Sequence, residues 1–238
     1  MPVGLQVKND DGYLQIDENY RNFTVKTSGT GTTGVTSIGG TNPIYVSQIT
    51  ATTCTFPMIS IRSTSSYVSV IGTEVNGSTY TFSVASNSSS TSFNYWIFDV
   101  ATPPVDTFGL EIYNSNGDLV FHSSNKAMRI VTSYDAGDGD TSGNTLASGR
   151  TYAVIQGSNG FRSRNVFRPL PNNYLYISYC AGHKWDGTTL YIPYPTIALT
   201  MPSSAPLKID QIQPSGETTD YIYTPQIPKF VVVDVTNF

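Results

Sequence analysis

Two histidines, two cysteines, one glycine-rich run, one aspartate-rich run and one arginine–aromatic group are the places where this 238-residue chain could do chemistry. Gly29-Thr30-Gly31-Thr32-Thr33-Gly34 has the GxGxxG spacing. In a dinucleotide site the third glycine opens a helix whose N-terminus holds the pyrophosphate. Here Val35-Thr36-Ser37-Ile38-Gly39-Gly40-Thr41-Asn42-Pro43 follows, which cannot be that helix, and no lysine follows as a P-loop requires. The run reads as a flexible loop after a strand at residues 23–26. Residues 134–144 place Asp135, Asp138 and Asp140 among glycines, and such a spacing could wrap oxygen ligands around calcium. It lacks the twelfth-position glutamate of an EF-hand and is not a tandem nonapeptide, so it reads as a solvated loop.

A histidine-activated nucleophile would need His122 or His183. His122 falls on the outward alternation of a strand and His183 beside a turn, neither near a Gly-x-Ser-x-Gly elbow, so both are expected at the surface. Paired carboxylates for glycoside hydrolysis meet only in space, and the 17 acidic residues leave a glycan hydrolase as the third choice. Arg162, Arg164 and Arg168, with Phe161, Phe167, Tyr174 and Tyr176 nearby, form a group of the kind that anchors protein interfaces or stacks on sugars. With Tyr191, Tyr194, Tyr221 and Tyr223 they are the interface candidates; the plainer reading sends the aromatics to the core and the arginines to solvent. Cys54 and Cys180, one in each half, read as buried free thiols. No set of residues reads as a catalytic centre or a cofactor site, so a protein without enzymatic activity is expected.

The elements that carry these residues are legible from composition and pattern. Hydrophobic residues make up 39% of the chain and aromatics 12%, enough for real cores, while charged residues make up only 13%, against about 25% in ordinary soluble domains. A net charge of −4 without a basic stripe gives no footprint for nucleic acid. No segment approaches the ~20 apolar residues of a membrane-spanning helix, and the opening residues lack a signal-peptide core. A soluble product of the cytoplasm, without membrane insertion, is expected.

Residues 4–25 read GLQVKNDDGYLQIDENYRNFTV and residues 109–130 read GLEIYNSNGDLVFHSSNKAMRI. At a fixed spacing of 105, Gly4, Leu5, Asn9, Gly12 and Leu14 recur as Gly109, Leu110, Asn114, Gly117 and Leu119. Period-two alternation around an Asn/Asp/Gly cluster predicts a β-hairpin at the head of each copy. The copies also end alike, in Trp96-Ile97-Phe98-Asp99-Val100 and Val231-Val232-Val233-Asp234-Val235, and Pro103-Pro104 marks a linker between them. Further strands are predicted at 67–71 and 78–84 around Asn76-Gly77, and at 152–155, 174–179 and 190–192, with a turn at 185–188. No sustained helical period is present. The expected fold is all-β: two tandem β-sandwich-like domains, residues 1–104 and 105–238, the second enlarged by a Pro/Tyr-rich extension at 193–228 that forms a loop, an edge strand or an arm.

Tyr95-Trp96-Ile97-Phe98-Asp99, the proline-containing linker, Phe108-Gly109-Leu110-Glu111-Ile112-Tyr113-Asn114 and Gly117-Asp118-Leu119-Val120-Phe121 with Ser123 resemble a family of small tail-associated proteins of long-tailed bacteriophages. In that family a YGLEIYN-x-x-G-x-LVFDSS hairpin begins a β-domain; here His122 stands where the pattern usually has aspartate. The resemblance implies a virion structural protein of the tail tip, baseplate or tail fibre, acting in tail assembly and host attachment. Its implied partners are other tail proteins, in several symmetric copies, and a host surface receptor or glycan. The alternative is a soluble glycan- or receptor-binding module, whose discriminating feature would be exposed Tyr and Trp faces near the loops.

Overall fold

The computed structural model describes residues 6–8, 14–17, 22–36, 44–100, 106–135, 143–158, 161–167, 174–192, 197–203 and 228–238. Among these the chain is all-β, and no helix is long and apolar enough to cross a membrane. The first half supplies β1 (Gln6–Lys8), β2 (Leu14–Asp17), β3 (Thr24–Thr32), β4 (Gly34–Thr36), β5 (Ile44–Ala51), β6 (Met58–Arg62), β7 (Val68–Asn76), β8 (Thr79–Ser86) and β9 (Ser92–Asp99). The second supplies β10 (Glu111–Tyr113), β11 (Leu119–His122), β12 (Arg129–Asp135), β13 (Gly143–Thr145), β14 (Tyr152–Gln156), β15 (Phe161–Phe167), β16 (Tyr174–Cys180), β17 (Lys184–Asp186), β18 (Thr189–Tyr191), β19 (Ile197–Ser203) and β20 (Lys229–Asp234).

Six strands form one antiparallel sheet in the order β12-β20-β14-β6-β9-β3, three from each side of the proline linker. The halves meet at β14 and β6, where Val154 pairs with Ile61 and Ile155 with Ser60. The sheet therefore runs across the boundary expected near residue 104. The reason is physical: Ile59 and Ile61 of β6 and Ala153 and Val154 of β14 are buried, and an unpaired strand edge among them would strand backbone donors and acceptors away from water.

At one end the two outer strands also meet. Thr24 bridges Ala127, the Val25 amide donates to the Lys126 carbonyl at 2.9 Å, and the Met128 amide donates to the Phe23 carbonyl at 2.8 Å. The six strands close into a ring there. It is filled by Trp96, Phe98, Ala153, Ile155, Val233 and Val235, with Met58, Met128 and Phe238 among the side chains packed against them. Closure requires sharp bending, and each outer strand carries an irregular step, between Val25 and Thr27 and between Ile130 and Thr132.

The spacing of 105 seen in the sequence also appears in the pairing. Gln6, Val7 and Lys8 face Asp17, Ile16 and Leu14, just as Glu111, Ile112 and Tyr113 face His122, Phe121 and Leu119, with the register shift at the same step. Thr24, Val25 and Thr27 pair with Asp99, Phe98 and Ile97, as Arg129, Ile130 and Thr132 pair with Asp234, Val233 and Val232. The aspartate that closes each ending has a job. Asp99 accepts the amides of Thr55 and Phe56, at 2.9 and 2.7 Å, just before β6, while Asp234 accepts Arg150 Nη1, just before β14. Each carboxylate pins the chain entering the neighbouring strand.

On its other face the sheet is covered in two places. The order β4-β5-β8-β7 packs Ile49, Val68, Phe82 and Val84 onto Ile59, Ile61, Phe93 and Ile97. The order β13-β18-β17 packs Trp185, Leu190 and Ile192 onto Tyr152, Val154, Phe230 and Val232. Strands covered on both sides read as near-continuous apolar runs, which accounts for Trp96-Ile97-Phe98 and Val231-Val232-Val233. Turns at Gly77 and Gly187, both at positive φ, join β7 to β8 and β17 to β18. A third outer sheet has the order β15-β16-β19. Residues 197–203 of the Pro/Tyr-rich segment form β19, in which Pro202 faces Leu175 on an edge strand that tolerates a missing amide. Residues 193–196 and 204–227 lie outside the described residues.

The expectation for the glycine-rich run is overturned. The GxGxxG run is not a flexible loop: Gly29 and Gly31 are ladder residues of β3, directly opposite Tyr95 and Phe93. A Cβ at Gly29 would lie 2.7 Å from Tyr95 Oη, and one at Gly31 would lie 2.4 Å from Phe93 Cζ. The glycines are there so that two aromatic rings of β9 can lie across the neighbouring strand.

Candidate interaction surface

Both histidines prove to be buried, which corrects the surface reading. His183 is fully buried and exchanges backbone hydrogen bonds with Val68, at 3.0 and 2.9 Å. Its Nε2 donates to the Ile61 carbonyl at 3.2 Å, and its ring meets Phe230 edge-on. Burial pulls its pKa down to about 4, so the imidazole is neutral near pH 7. Sequence placed it beside a turn; what covers that turn is the first half of the chain, which no local pattern reveals.

His183 belongs to a polar seam between the halves. Arg62, at the end of β6, donates from Nη1 to the Tyr152 carbonyl at 3.0 Å and from Nη2 to the Gly187 carbonyl at 2.8 Å. Its guanidinium carbon stands 5.0 Å from the centroid of the Trp185 ring, and burial lowers its pKa. The Gln156 side-chain carbonyl accepts the Val70 amide at 2.9 Å and Ser69 Oγ at 3.1 Å, and the Trp185 amide donates to the Ser63 carbonyl at 2.8 Å. The seam's chemistry is cohesion: its donors end on carbonyls of the opposite half.

His122 is buried as well, within the β10–β11 hairpin. The Ser124 amide and Oγ both point at His122 Nδ1, at 3.1 and 2.6 Å, so that nitrogen is the acceptor and the proton sits on Nε2, 3.6 Å from Glu111 Oε1. The Ser124 hydroxyl oxygen in turn accepts the Asp106 amide at 3.3 Å. This is a turn in which His122 Nδ1 does the work of an aspartate oxygen, accepting the amide two residues on.

The rest of the hairpin motif has equally local causes. Asn114 Oδ1 accepts the amides of Asn116 and Asp118, at 3.0 and 2.9 Å, and Gly117 turns the chain at φ 82°. Ser123 Oγ accepts the Leu110 amide at 2.9 Å. A Cβ on Gly109 would lie 2.5 Å from that hydroxyl.

With its turn locked, the hairpin presents Phe108, 88% exposed, with Leu110 and Tyr113, each more than half exposed. All three stand in the hairpin motif, yet none is among the interface candidates read from the sequence. Leu110 and Ile112 share one alternation, yet Ile112 is buried and Leu110 is not, because the ladder of β10 begins only at Glu111. The signal was the apolar character of Phe108 and Leu110 next to a proline linker.

The sequence candidates are scattered. Arg162 and Arg164 lie in β15, at the register positions opposite Tyr179 and Ile177 of β16. Tyr191 ends β18, half-buried and opposite Gly143 and Lys184. Arg168, Tyr194, Tyr221 and Tyr223 lie outside the described residues, as do Asp138 and Asp140. Asp135 is exposed at the end of β12, with Lys229 Nζ at 3.9 Å. Among the described residues no group of three or more His, Cys, Asp or Glu side chains could hold a metal ion. Cys54 is buried and free, and burial is the main cause of its raised thiol pKa; Cys180 lies in β16. Comparison with protein families, curated proteins and solved structures gives no match.

Proposed function

We propose that this chain is a structural protein of a bacteriophage virion, in the tail tip, baseplate or tail fibre, serving tail assembly and host attachment. It is built as two β-sandwich-like units related by duplication, residues 1–104 and 105–238, and it acts by docking and not by catalysis. The observation that carries the reading is the GLEIYN-x-x-G-x-LVF hairpin. Asn114 and Gly117 of its motif lock the turn and Ile112 and Val120 are buried, and the locked hairpin holds Phe108, Leu110 and Tyr113 in solvent. Rigid exposed apolar groups with little conformational freedom to lose suit docking onto another protein. Neighbouring tail subunits, in several symmetric copies, are the partners, with a host receptor or glycan contacted by the outer loops.

The competing reading, a glycan- or receptor-binding module, asked for exposed Tyr and Trp faces near the loops. Trp96 and Trp185 are both buried, while Tyr113 is exposed beside the hairpin turn, so location decides between the two readings. The deciding experiment is immunogold labelling of purified phage particles with antibody to this chain. Label at the distal tail is expected; particles free of the protein would overturn the proposal in favour of the binding module.

A further inference from the structure

We infer that the two halves are each other's obligate partner: the interface between them is a two-fold one, of a kind that fits a second copy of the same three-stranded unit, and the ring core at that interface is complete only with both halves. This rests on the pairing geometry and not on the proposal about tails.

The symmetry can be tested residue by residue. Thr24 and Arg129 are equivalent, being 105 residues apart and paired with Asp99 and Asp234 respectively. Exchanging equivalents turns the bridge Thr24–Ala127 into Arg129–Asn22, which lies two steps along the same antiparallel register. The second contact behaves alike. Met58 faces Phe98 as Ala153 faces Val233, so equivalents there are 95 residues apart. The exchange turns Ile61–Val154 into Gln156–Ile59, again two steps along one ladder. Two contacts on opposite sides of the ring, each mapped onto itself, define one two-fold axis.

The core follows the same rule. The ring cluster takes Trp96 and Phe98 from one half and Ala153, Ile155, Val233 and Val235 from the other. Each half keeps an outer core of its own, so what removing either half would expose is the ring: its apolar side chains would be bare and the edge of β6 or β14 unpaired. The second hairpin adds to the interlock, because the Asn22 amide donates to the Val120 carbonyl at 3.3 Å.

The chain carries its own probes: its two tryptophans lie one in each half, Trp96 in the shared ring and Trp185 in the outer core of the second half. Urea unfolding of the full-length Trp96→Phe and Trp185→Phe variants would be followed by fluorescence and by far-ultraviolet circular dichroism in the same samples. The two signals should coincide in both variants, as for one cooperative unit; fluorescence that leads or lags the backbone signal in either would overturn the inference. As a second measurement, a protease site placed within residues 101–105 of the full chain would be cut after folding. The cut chain should elute as one species of unchanged mass, whereas separation into two fragments would also overturn it. Should that insertion prevent folding, the tryptophan measurement decides alone.

Discussion

Substituting Gly31 by alanine adds one methyl group at the point where β3 and β9 are most tightly fitted. The new Cβ would stand 2.4 Å from Phe93 Cζ, 2.7 Å from Cε2 and 3.0 Å from Cε1, where ordinary contacts begin near 3.4 Å. The ring must therefore move by about 1 Å. It has nowhere to go: Phe93 is 2% exposed and packed in the cluster of Ile49, Phe82, Val84 and Ile97. Overpacking of this kind costs about 1–3 kcal/mol, offset by about 0.4–1 kcal/mol from the reduced entropy of the unfolded chain. A net loss of about 1–2 kcal/mol is expected, or a fall of about 2–8 °C in Tm for a chain of this size. Gly29→Ala is the internal control, because Tyr95 is only half-buried and its hydroxyl end can swing toward solvent; it should cost much less. Calorimetry of both variants, with Phe93→Leu combined with Gly31→Ala to complete a double-mutant cycle, measures the clash directly. If Gly31→Ala were neutral while Gly29→Ala was costly, or if the cycle gave no coupling, the cross-strand role of these glycines would be wrong.

Three further outcomes follow from the seam and the hairpin. Arg62→Met removes two charged donors and the contact over Trp185, and should lower stability by about 2–3 kcal/mol, read as a lower urea midpoint at unchanged m value. His122→Asp restores an oxygen acceptor for the Ser124 amide and should be within about 0.5 kcal/mol of the parent, whereas His122→Ala should cost about 1–2 kcal/mol; equal losses would refute the turn assignment. Stability should fall on acidification. His183 has a folded pKa of about 4, below its usual value of 6.5, so its contribution is complete above about pH 6.5 and is lost as pH falls toward 4. Desolvation pushes Asp234 up, but hydrogen bonds from Thr236 and Arg150 and the charge of Arg129 outweigh it, so its contribution is lost below the ordinary carboxylate range. His183→Gln should flatten the profile between pH 4 and 6.5 while leaving the more acidic limb.

Sequence alone was sufficient for the all-β class, because period-two alternation and Asn-Gly or Asp-Gly turns act over a few residues, and the turns at Gly77, Gly117 and Gly187 fall where those signals stand. It was sufficient also for the hairpin at residues 111–122 and for the two strand endings, since Asn114, Gly117, Ser123, Asp99 and Asp234 bond within their own turn or to the neighbouring strand's entry. What only the tertiary structure decided was everything that depends on which distant segments of the chain meet. The glycine-rich run became a strand because Tyr95 and Phe93, more than sixty residues away, need its missing side chains. His183 became buried because strands of the other half meet it, with Val68 bridging its backbone and the Ile61 carbonyl accepting from its ring. The boundary expected at the proline linker does not divide the sheet, because backbone pairing between β6 and β14 depends on which edges meet in space, and edges carry no mark in the sequence.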